Sequence, residues 1–237
     1  TQATMTVCNG GSPTANGIVL TPLLGYTGTP TVQFTGVPAG LTITPPNPAA
    51  NPMPPGQTLQ FTVSASGIAA GPRTVTLSVT DAAAGVARTA FLTVNVTDPD
   101  FTPAAAPSPL SLTAGGPART LTASLTPNAC QASTVTVSQT GAPAGVTFSP
   151  PTATIAGPGW APASFAVQAA PTTVPGTYPI QITFTPTDDL PKSVNATLIV
   201  AALPDFTLAV TPSTLTLQAG GNGTVAVTAT ALNGFTG

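Results

Sequence analysis

Residues 176–184 have the sequence GTYPIQITF, the clearest structural pattern in this chain of 237 residues. Large apolar side chains occupy every second position, at Tyr178, Ile180, Ile182 and Phe184. Because successive side chains of an extended strand point to opposite faces, a period of two places this apolar set on one face. The segment therefore predicts a β-strand with one buried face and one face open to water.

Similar short segments surround this strand and are separated by glycine and proline residues. Period-two patterns occur at Leu110–Leu112, Leu121–Leu125, Val135–Val137, Val146–Phe148, Phe165–Val167 and Leu198–Val200. Several short strands at regular spacing, bounded by turn residues, are typical of two-sheet sandwiches with Greek-key connections. We therefore predict an all-β fold built from such β-sandwiches.

An internal repeat organises the whole chain. Three Gly-Gly pairs, at Gly10, Gly115 and Gly220, are 105 residues apart each time, and PAGLTITPP at 38–46 returns as PAGVTFSPP at 143–151. Gly71 matches Gly176 at the same offset, and Pro99-Asp100-Phe101 matches Pro204-Asp205-Phe206. A constant offset at separate places indicates one domain of about 105 residues used in tandem.

The repeat predicts three segments. Residues 1–98 form domain 1, residues 99–203 form domain 2, and residues 204–237 supply the leading strands of a third repeat or a donor-strand segment. Met5-Thr6-Val7 aligns with Leu215-Thr216-Leu217, so domain 1 is expected to lack its leading strand. A segment as short as 204–237 cannot bury a sandwich core alone.

Composition excludes several classes of function. Charged residues make up only 4 % of the chain, and histidine and glutamate are absent. Four Lys and Arg residues cannot neutralise a phosphate backbone, so nucleic acid is not predicted as a partner. Acid–base catalysis would depend on Asp and Tyr alone, so we predict no catalytic residues and no enzyme activity. No apolar run approaches the roughly 18 residues that indicate a membrane span, so membrane insertion is not predicted.

The sequence resembles a family of bacterial immunoglobulin-like repeats, which occur in tandem on secreted and surface proteins. The resemblance is carried by DFTLAVTPS at 205–213, AGG at 219–221, NGFTG at 233–237 and GVPAGLT at 36–42. It implies tandem immunoglobulin-like sandwiches in an extracellular, cell-surface protein. The chain departs from antibody-type domains because neither repeat has two cysteines for a bridge between its own sheets.

We predict a structural role, as a subunit or segment of a cell-surface filament or sheath that self-associates into a homopolymer. The alternative is an adhesin stalk or a carbohydrate-binding accessory array of a larger secreted protein, with glycans as partners. Segment 204–237 is compatible with a cut from a longer tandem array. It is also compatible with strand exchange, in which Phe206, Leu208 and Val210 fill the open edge of domain 1 in a neighbouring molecule.

Two cysteines, Cys8 and Cys130, lie one in each predicted domain. Each is expected at the end of its domain that faces the other, which predicts an interdomain disulfide between them. A bridge between neighbouring molecules and two free thiols are the alternatives. Either kind of bridge requires an oxidising, extracellular setting.

Two further candidate sites follow from polar and aromatic residues in loops. Asp98, Asp100, Asp188 and Asp189 are expected near one junction, where carboxylates could hold Ca²⁺; solvated turn residues are the alternative. No other cofactor is predicted. Trp160 lies among glycine and proline residues and is a candidate contact for a glycan or a partner, with a hydrophobic plug of the loop as the alternative.

Overall fold

The computed structural model describes residues 3–44, 53–187 and 189–236. They divide into two compact units. Unit 1 takes the described residues up to Thr102 together with Thr126–Ala132. Unit 2 takes Pro103–Leu125 and the described residues from Ser133 onward. Each unit is built from strands, as the period-two patterns predict.

Unit 1 is formed by two sheets. Its strands are β1 (Ala3–Cys8), β2 (Thr14–Val19), β3 (Thr31–Thr35), β4 (Leu41–Thr44), β5 (Thr58–Ala65), β6 (Gly71–Asp81) and β7 (Val86–Thr97). One sheet has the order β1-β7-β6-β3 and the other has the order β2-β5-β4. Strand β1 runs parallel to β7, whereas β2 with β5, β3 with β6, β4 with β5 and β6 with β7 pair in antiparallel orientation.

The core of unit 1 lies between its two sheets. Phe34 of β3 and Phe61 of β5 belong to different sheets, and their ring centroids are 4.9 Å apart. Alternate residues are buried in β5, where Phe61 and Val63 point into this core. A smaller cluster of Val32, Met53 and Leu59 packs against Ile18 and Leu20, which are only partly buried. The two sheets therefore form a β-sandwich.

Nine further strands follow among the described residues up to Ala201. They are β8 (Phe101–Ala106), β9 (Leu110–Thr113), β10 (Arg119–Pro127), β11 (Val135–Thr140), β12 (Val146–Ser149), β13 (Thr152–Ile155), β14 (Ala163–Ala169), β15 (Gly176–Pro186) and β16 (Lys192–Ala201). Their sheets have the orders β13-β11-β15-β16-β9 and β12-β14-β10-β8. Strand β9 runs parallel to β16, as β1 does to β7, so the repeat is visible in the topology.

Strand β15 contains the segment that first indicated the fold. Ile180, Ile182 and Phe184 are buried, and the intervening Gln181 is exposed. The predicted all-β sandwich class is confirmed. No helix in the described parts of the chain is long and apolar enough to span a membrane.

The last two strands form a separate ribbon within the residues assigned to unit 2. Strand β17 (Asp205–Thr211) pairs with β18 (Ala226–Leu232) in antiparallel orientation. The described residues of this ribbon are nearly all exposed. Among the residues that the structure describes, this ribbon is a sheet of two strands, and its apolar side chains are largely exposed.

Candidate functional site

The first feature of interest is the edge of unit 1 at β2. The sheet β2-β5-β4 of unit 1 corresponds to the strands β10, β14 and β12 of the next sandwich. The pairing of Asn16 in β2 with Phe61 in β5 matches the pairing of Leu121 in β10 with Phe165 in β14. In the sheet that contains β10, a fourth strand, β8, lies next to it. Among the residues that the structure describes, the sheet of unit 1 has no fourth strand beside β2. Within the described residues, β2 is therefore an edge strand with no strand partner on its outer side.

The inward-facing side chains of β2 are incompletely covered. Leu121 and Ala123 of β10 are fully buried, whereas Asn16 and Ile18 at the corresponding positions of β2 are half-buried. The Asn16 side chain donates a hydrogen bond from Nδ2 to the Met5 sulfur at 3.7 Å. The edge of the unit 1 core at β2 is thus left partly open to solvent.

A groove adjoins the end of β2. It has a volume of about 400 Å³, and its lining includes Val19, Leu20, Pro22 and Pro30. Apolar walls predominate in this part of the groove, and Val19 is 56 % exposed. The open edge and the groove together form a continuous acceptor surface, which we define as β2 with residues 20–22.

The ribbon of β17 and β18 has an exposed row of apolar side chains. Phe206, Leu208 and Val210 occupy alternate positions of β17. They are 44 %, 63 % and 49 % exposed, respectively. Phe206 also contacts Phe235, with ring centroids 5.1 Å apart. By contrast, Phe101 of β8, which lies 105 residues earlier, is only 3 % exposed. The same strand type is therefore covered in one copy of the repeat and uncovered in the other.

A disulfide joins Cys8, the last residue of β1, to Cys130, which follows β10. Their Cα atoms are 5.2 Å apart and 122 positions separate them in the sequence. Residues 126–132 group with unit 1, so both cysteines lie in that unit. Cys8–Cys130 is thus a bridge between the edge strand β1 and a segment that is distant in sequence.

Asn128 shapes the turn that carries Cys130, and the sequence analysis did not single it out. Its Oδ1 accepts hydrogen bonds from the backbone N–H groups of Asp100 (3.2 Å), Cys130 (3.0 Å) and Gln131 (2.9 Å). Its Nδ2 donates to the carbonyl oxygen of Asp98 at 2.9 Å. An asparagine in a loop is a signal for such a turn, because its side chain can accept a hydrogen bond from the backbone two residues further on.

The predicted Ca²⁺ ligands are engaged in local hydrogen bonds. Asp98 Oδ1 accepts from Asn9 Nδ2 at 2.9 Å, and Asp100 Oδ1 accepts from the N–H of Phe101 at 2.6 Å. Asp189 Oδ1 accepts from the N–H of Leu190 at 2.7 Å, and Asp188 lies outside the described residues. Over the described ranges, no group of three or more His, Cys, Asp or Glu residues is placed to hold a metal ion. The Ca²⁺ site stays a prediction.

Trp160 lies in the loop between β13 and β14. Its φ of 46° is rare for a bulky residue, and the side chain is half-buried. The indole packs against Gly157, where an added Cβ would lie 2.9 Å from the ring. This contact explains why residue 157 is glycine. Contact of Trp160 with a glycan or a partner stays a prediction.

Tyr26 and Asp81 form a polar pair in unit 1 that the sequence pattern did not indicate. The Tyr26 hydroxyl donates to Asp81 Oδ2 at 2.5 Å, and the N–H of Ala84 donates to Asp81 Oδ1 at 3.1 Å. The hydrogen bond from Tyr26, followed by that from Ala84, lowers the pKa of Asp81. Burial raises the pKa of Tyr26 to about 12, and the hydrogen bond to Asp81 and its charge act in the same direction.

This pair predicts a pH-dependent contribution to the stability of unit 1. The pKa of Asp81 is lowered in the folded state, so its contribution is present above the unfolded value near 3.9 and is lost as the pH falls. The pKa of Tyr26 is raised, so its contribution is complete below about pH 10 and is lost as the pH rises toward 12. Asp81→Asn is expected to lower the melting temperature at neutral pH and to have a smaller effect at acid pH, because asparagine resembles the protonated carboxyl.

Thermal unfolding followed by circular dichroism at several pH values measures this difference. Tyr178→Phe is the matched control, because the Tyr178 hydroxyl donates to the neutral carbonyl of Val174 at 2.8 Å. The effect of Tyr178→Phe should be the same at neutral and acid pH, because no carboxylate takes part in this hydrogen bond. An equal loss for Asp81→Asn at neutral and acid pH would contradict the assignment.

No protein-family model matches this chain, and no curated protein matches it. Solved structures of similar fold include the titin domains Z1Z2 in complex with telethonin, with 14 % identity, a TM-score of 0.41 and coverage of 86 % of this chain and 95 % of that one. The periplasmic chaperone SfaE has 12 % identity and a TM-score of 0.36, with 43 % of this chain and 57 % of that chain covered. The D00-D0 domain of intimin has 13 % identity and a TM-score of 0.31, with 84 % and 96 % covered.

These similarities do not assign a function. The match spans little more than half the length of the chaperone SfaE and of the E. coli chaperone DraB. At such low identity a shared fold does not carry a shared activity. The functional argument therefore depends on the surfaces of this chain.

Proposed function

We propose that this chain is a structural component of an extracellular filament or sheath at the cell surface, whose copies associate by β-strand exchange. The observation that carries the proposal is the pair of complementary surfaces described above. Unit 1 has an open sheet edge at β2, and β17 has an exposed apolar face at Phe206, Leu208 and Val210. An exposed edge is a template for pairing with another strand.

The two surfaces favour an open polymer. The acceptor surface and the donor strand are different parts of the same chain, so each copy can donate to one neighbour and accept from another. A head-to-tail contact of this kind generates a fibre unless its rotation closes into a ring. A chain with these surfaces needs no second protein to extend the assembly.

Composition supports the same function. The outward positions of the strands are rich in threonine, and only 4 % of the residues are charged. Threonine hydrates through its hydroxyl group and fits the pleated surface, and neighbouring copies would meet little charge repulsion. The absence of histidine and glutamate from the sequence fits a structural role better than a catalytic one.

The disulfide supports an extracellular location. Bridges such as Cys8–Cys130 persist in oxidising compartments and are rare in the cytosol. A bridged β-sandwich is also suited to carry mechanical load, because the covalent link restricts the chain when non-covalent contacts open. Location and mechanical role are thus consistent parts of one proposal.

The purified chain provides the test. Sedimentation velocity over a wide range of protein concentrations should show association that grows with concentration, and negative-stain electron microscopy should show filaments. Association of this kind is expected to survive high salt, because the contact surfaces are apolar and not charged. Monodisperse single chains at every concentration would refute the proposal.

A further inference from the structure

The turns that follow β2 and β18 have the same backbone conformation. Leu24 and Asn233 both have a φ of 53°, and the glycines that follow have φ values of 74° and 76°. The N–H of Tyr26 donates to the carbonyl of Leu23 at 3.1 Å, and the N–H of Phe235 donates to that of Leu232 at 3.1 Å. Leu24 therefore corresponds to Asn233, and the strands that precede the two turns can be aligned residue by residue.

This alignment relates the acceptor surface to β18. Counting back from the turns, Leu20 corresponds to Ala229 and Ile18 corresponds to Val227. In the ribbon, Ala229 lies opposite Leu208 and Val227 lies opposite Val210. The ribbon thus shows how β17 lies beside a strand that leads into the same type of turn as β2.

The inward-facing positions agree with this alignment. Ile18 and Leu20 pack against the cluster of Val32, Met53 and Leu59, so they face the core of unit 1. Leu208 and Val210 lie on one face of β17 together with Phe206, because they are two residues apart. Transfer of the β18 pairing to β2 therefore turns the apolar face of β17 toward the core and not toward water.

We infer that β17 of one copy pairs with β2 of a second copy in antiparallel orientation, with Val210 opposite Ile18, Leu208 opposite Leu20 and Phe206 opposite Pro22. The inference rests on the proposed self-association and adds its partner strand and register. Phe206 then lies at the groove lined by Leu20, Pro22 and Pro30. A shift of one residue would turn all three apolar side chains to the solvent.

The balance of interactions favours the exchange. Strand β17 gives up its backbone pairing with β18 and pairs instead with β2, so hydrogen bonds lost from the ribbon are replaced along β2, whereas Pro22 has no N–H to donate. Phe206, Leu208 and Val210 pass from an exposed face to the partly open core of unit 1. Burial of apolar surface then drives association. Leu208→Asp is expected to raise the dissociation constant of the association by about ten- to a hundredfold.

Pairs of variants that each carry one added cysteine test the register in the chain of 237 residues. One preparation carries Val210→Cys or Leu208→Cys, and the other carries Ile18→Cys or Leu20→Cys. The native cysteines are bridged, and the described residues contain no free cysteine. After mixing and mild oxidation, Val210→Cys with Ile18→Cys and Leu208→Cys with Leu20→Cys should give covalent dimers. Ala209→Cys with Ile18→Cys is the control, because residue 209 lies on the other face of β17.

The outcomes separate this inference from the proposed function. Dimers from the two matched pairs, but not from the control pair, support the register. Association that persists in Leu208→Asp, or cross-links that form equally in matched and control pairs, overturns the register and leaves self-association intact. An absence of association in the unmodified chain overturns both. Val174→Asp, which changes a side chain of unit 2 that is 68 % exposed, should leave association unchanged.

Discussion

Replacement of Cys8 and Cys130 by serine is expected to lower the free energy of unfolding by about 2–5 kcal/mol. The bridge closes a loop of 122 positions, and the chain-entropy model gives about 5 kcal/mol for a loop of this length. The loss arises mainly in the unfolded chain, which becomes free to separate β1 from the segment after β10. The hydrogen bonds of Asn128 that shape the Cys130 turn would remain but would no longer be reinforced.

Guanidinium unfolding followed by circular dichroism measures this loss. Reduction of the unmodified chain with dithiothreitol should reproduce the stability of the double serine variant. The same reductant should leave the double variant unchanged, which is the control. A double variant as stable as the oxidised chain would show that the bridge does not stabilise the fold.

The second large effect is expected at Phe165 in the core of unit 2. The side chain is 1 % exposed and meets Phe148 edge to face, with ring centroids 6.4 Å apart. Phe165→Ala removes most of this apolar surface and leaves a cavity, so a loss of about 3–5 kcal/mol is expected. The aromatic pair with Phe148 is lost at the same time.

Trp160 provides a specific readout for this variant, because it is the only tryptophan and lies in unit 2. Its fluorescence during denaturant unfolding should move to a lower midpoint in Phe165→Ala. Leu190→Ala is the control, since it truncates a side chain of the same unit that is 77 % exposed. A similar, small loss in both variants would mean that Phe165 does not anchor the core.

The strand content could be predicted because it depends on local pattern. In β15, alternate positions are apolar, and Ile180, Ile182 and Phe184 are the residues that the structure buries. The repeat of 105 residues, which the sequence indicated, is likewise visible in the topology, because β1 and β9 both run parallel to the last strand of their sandwich. These features need only side-chain periodicity and repetition, which the sequence contains directly.

Other features could not be predicted because they depend on contacts between distant residues. Tyr26 and Asp81 are 55 positions apart, and nothing near either residue indicates the hydrogen bond between them. Asn16 has a polar side chain at an inward-facing position where β10 has Leu121, which breaks the expected alternation.

The extent of the first unit was also hidden. The boundary between residues 98 and 99 stays a prediction, and compact unit 1 takes the described residues up to Thr102 together with Thr126–Ala132. Those residues join unit 1 because the Cys130 turn is tied to β1 by the disulfide and to Asp98 and Asp100 by Asn128.

The covalent link between Cys8 and Cys130 also determines how the chain responds to pulling. A force that enters at β2 reaches Cys8 through about ten residues and crosses directly to Cys130. The rest of the closed ring, more than a hundred residues, stays outside the line of tension. At about 3.5 Å per extended residue, the disulfide prevents these residues from adding several hundred ångströms to the length of the chain under force. A filament made of such subunits would extend little under force, and a reductant would make it more extensible.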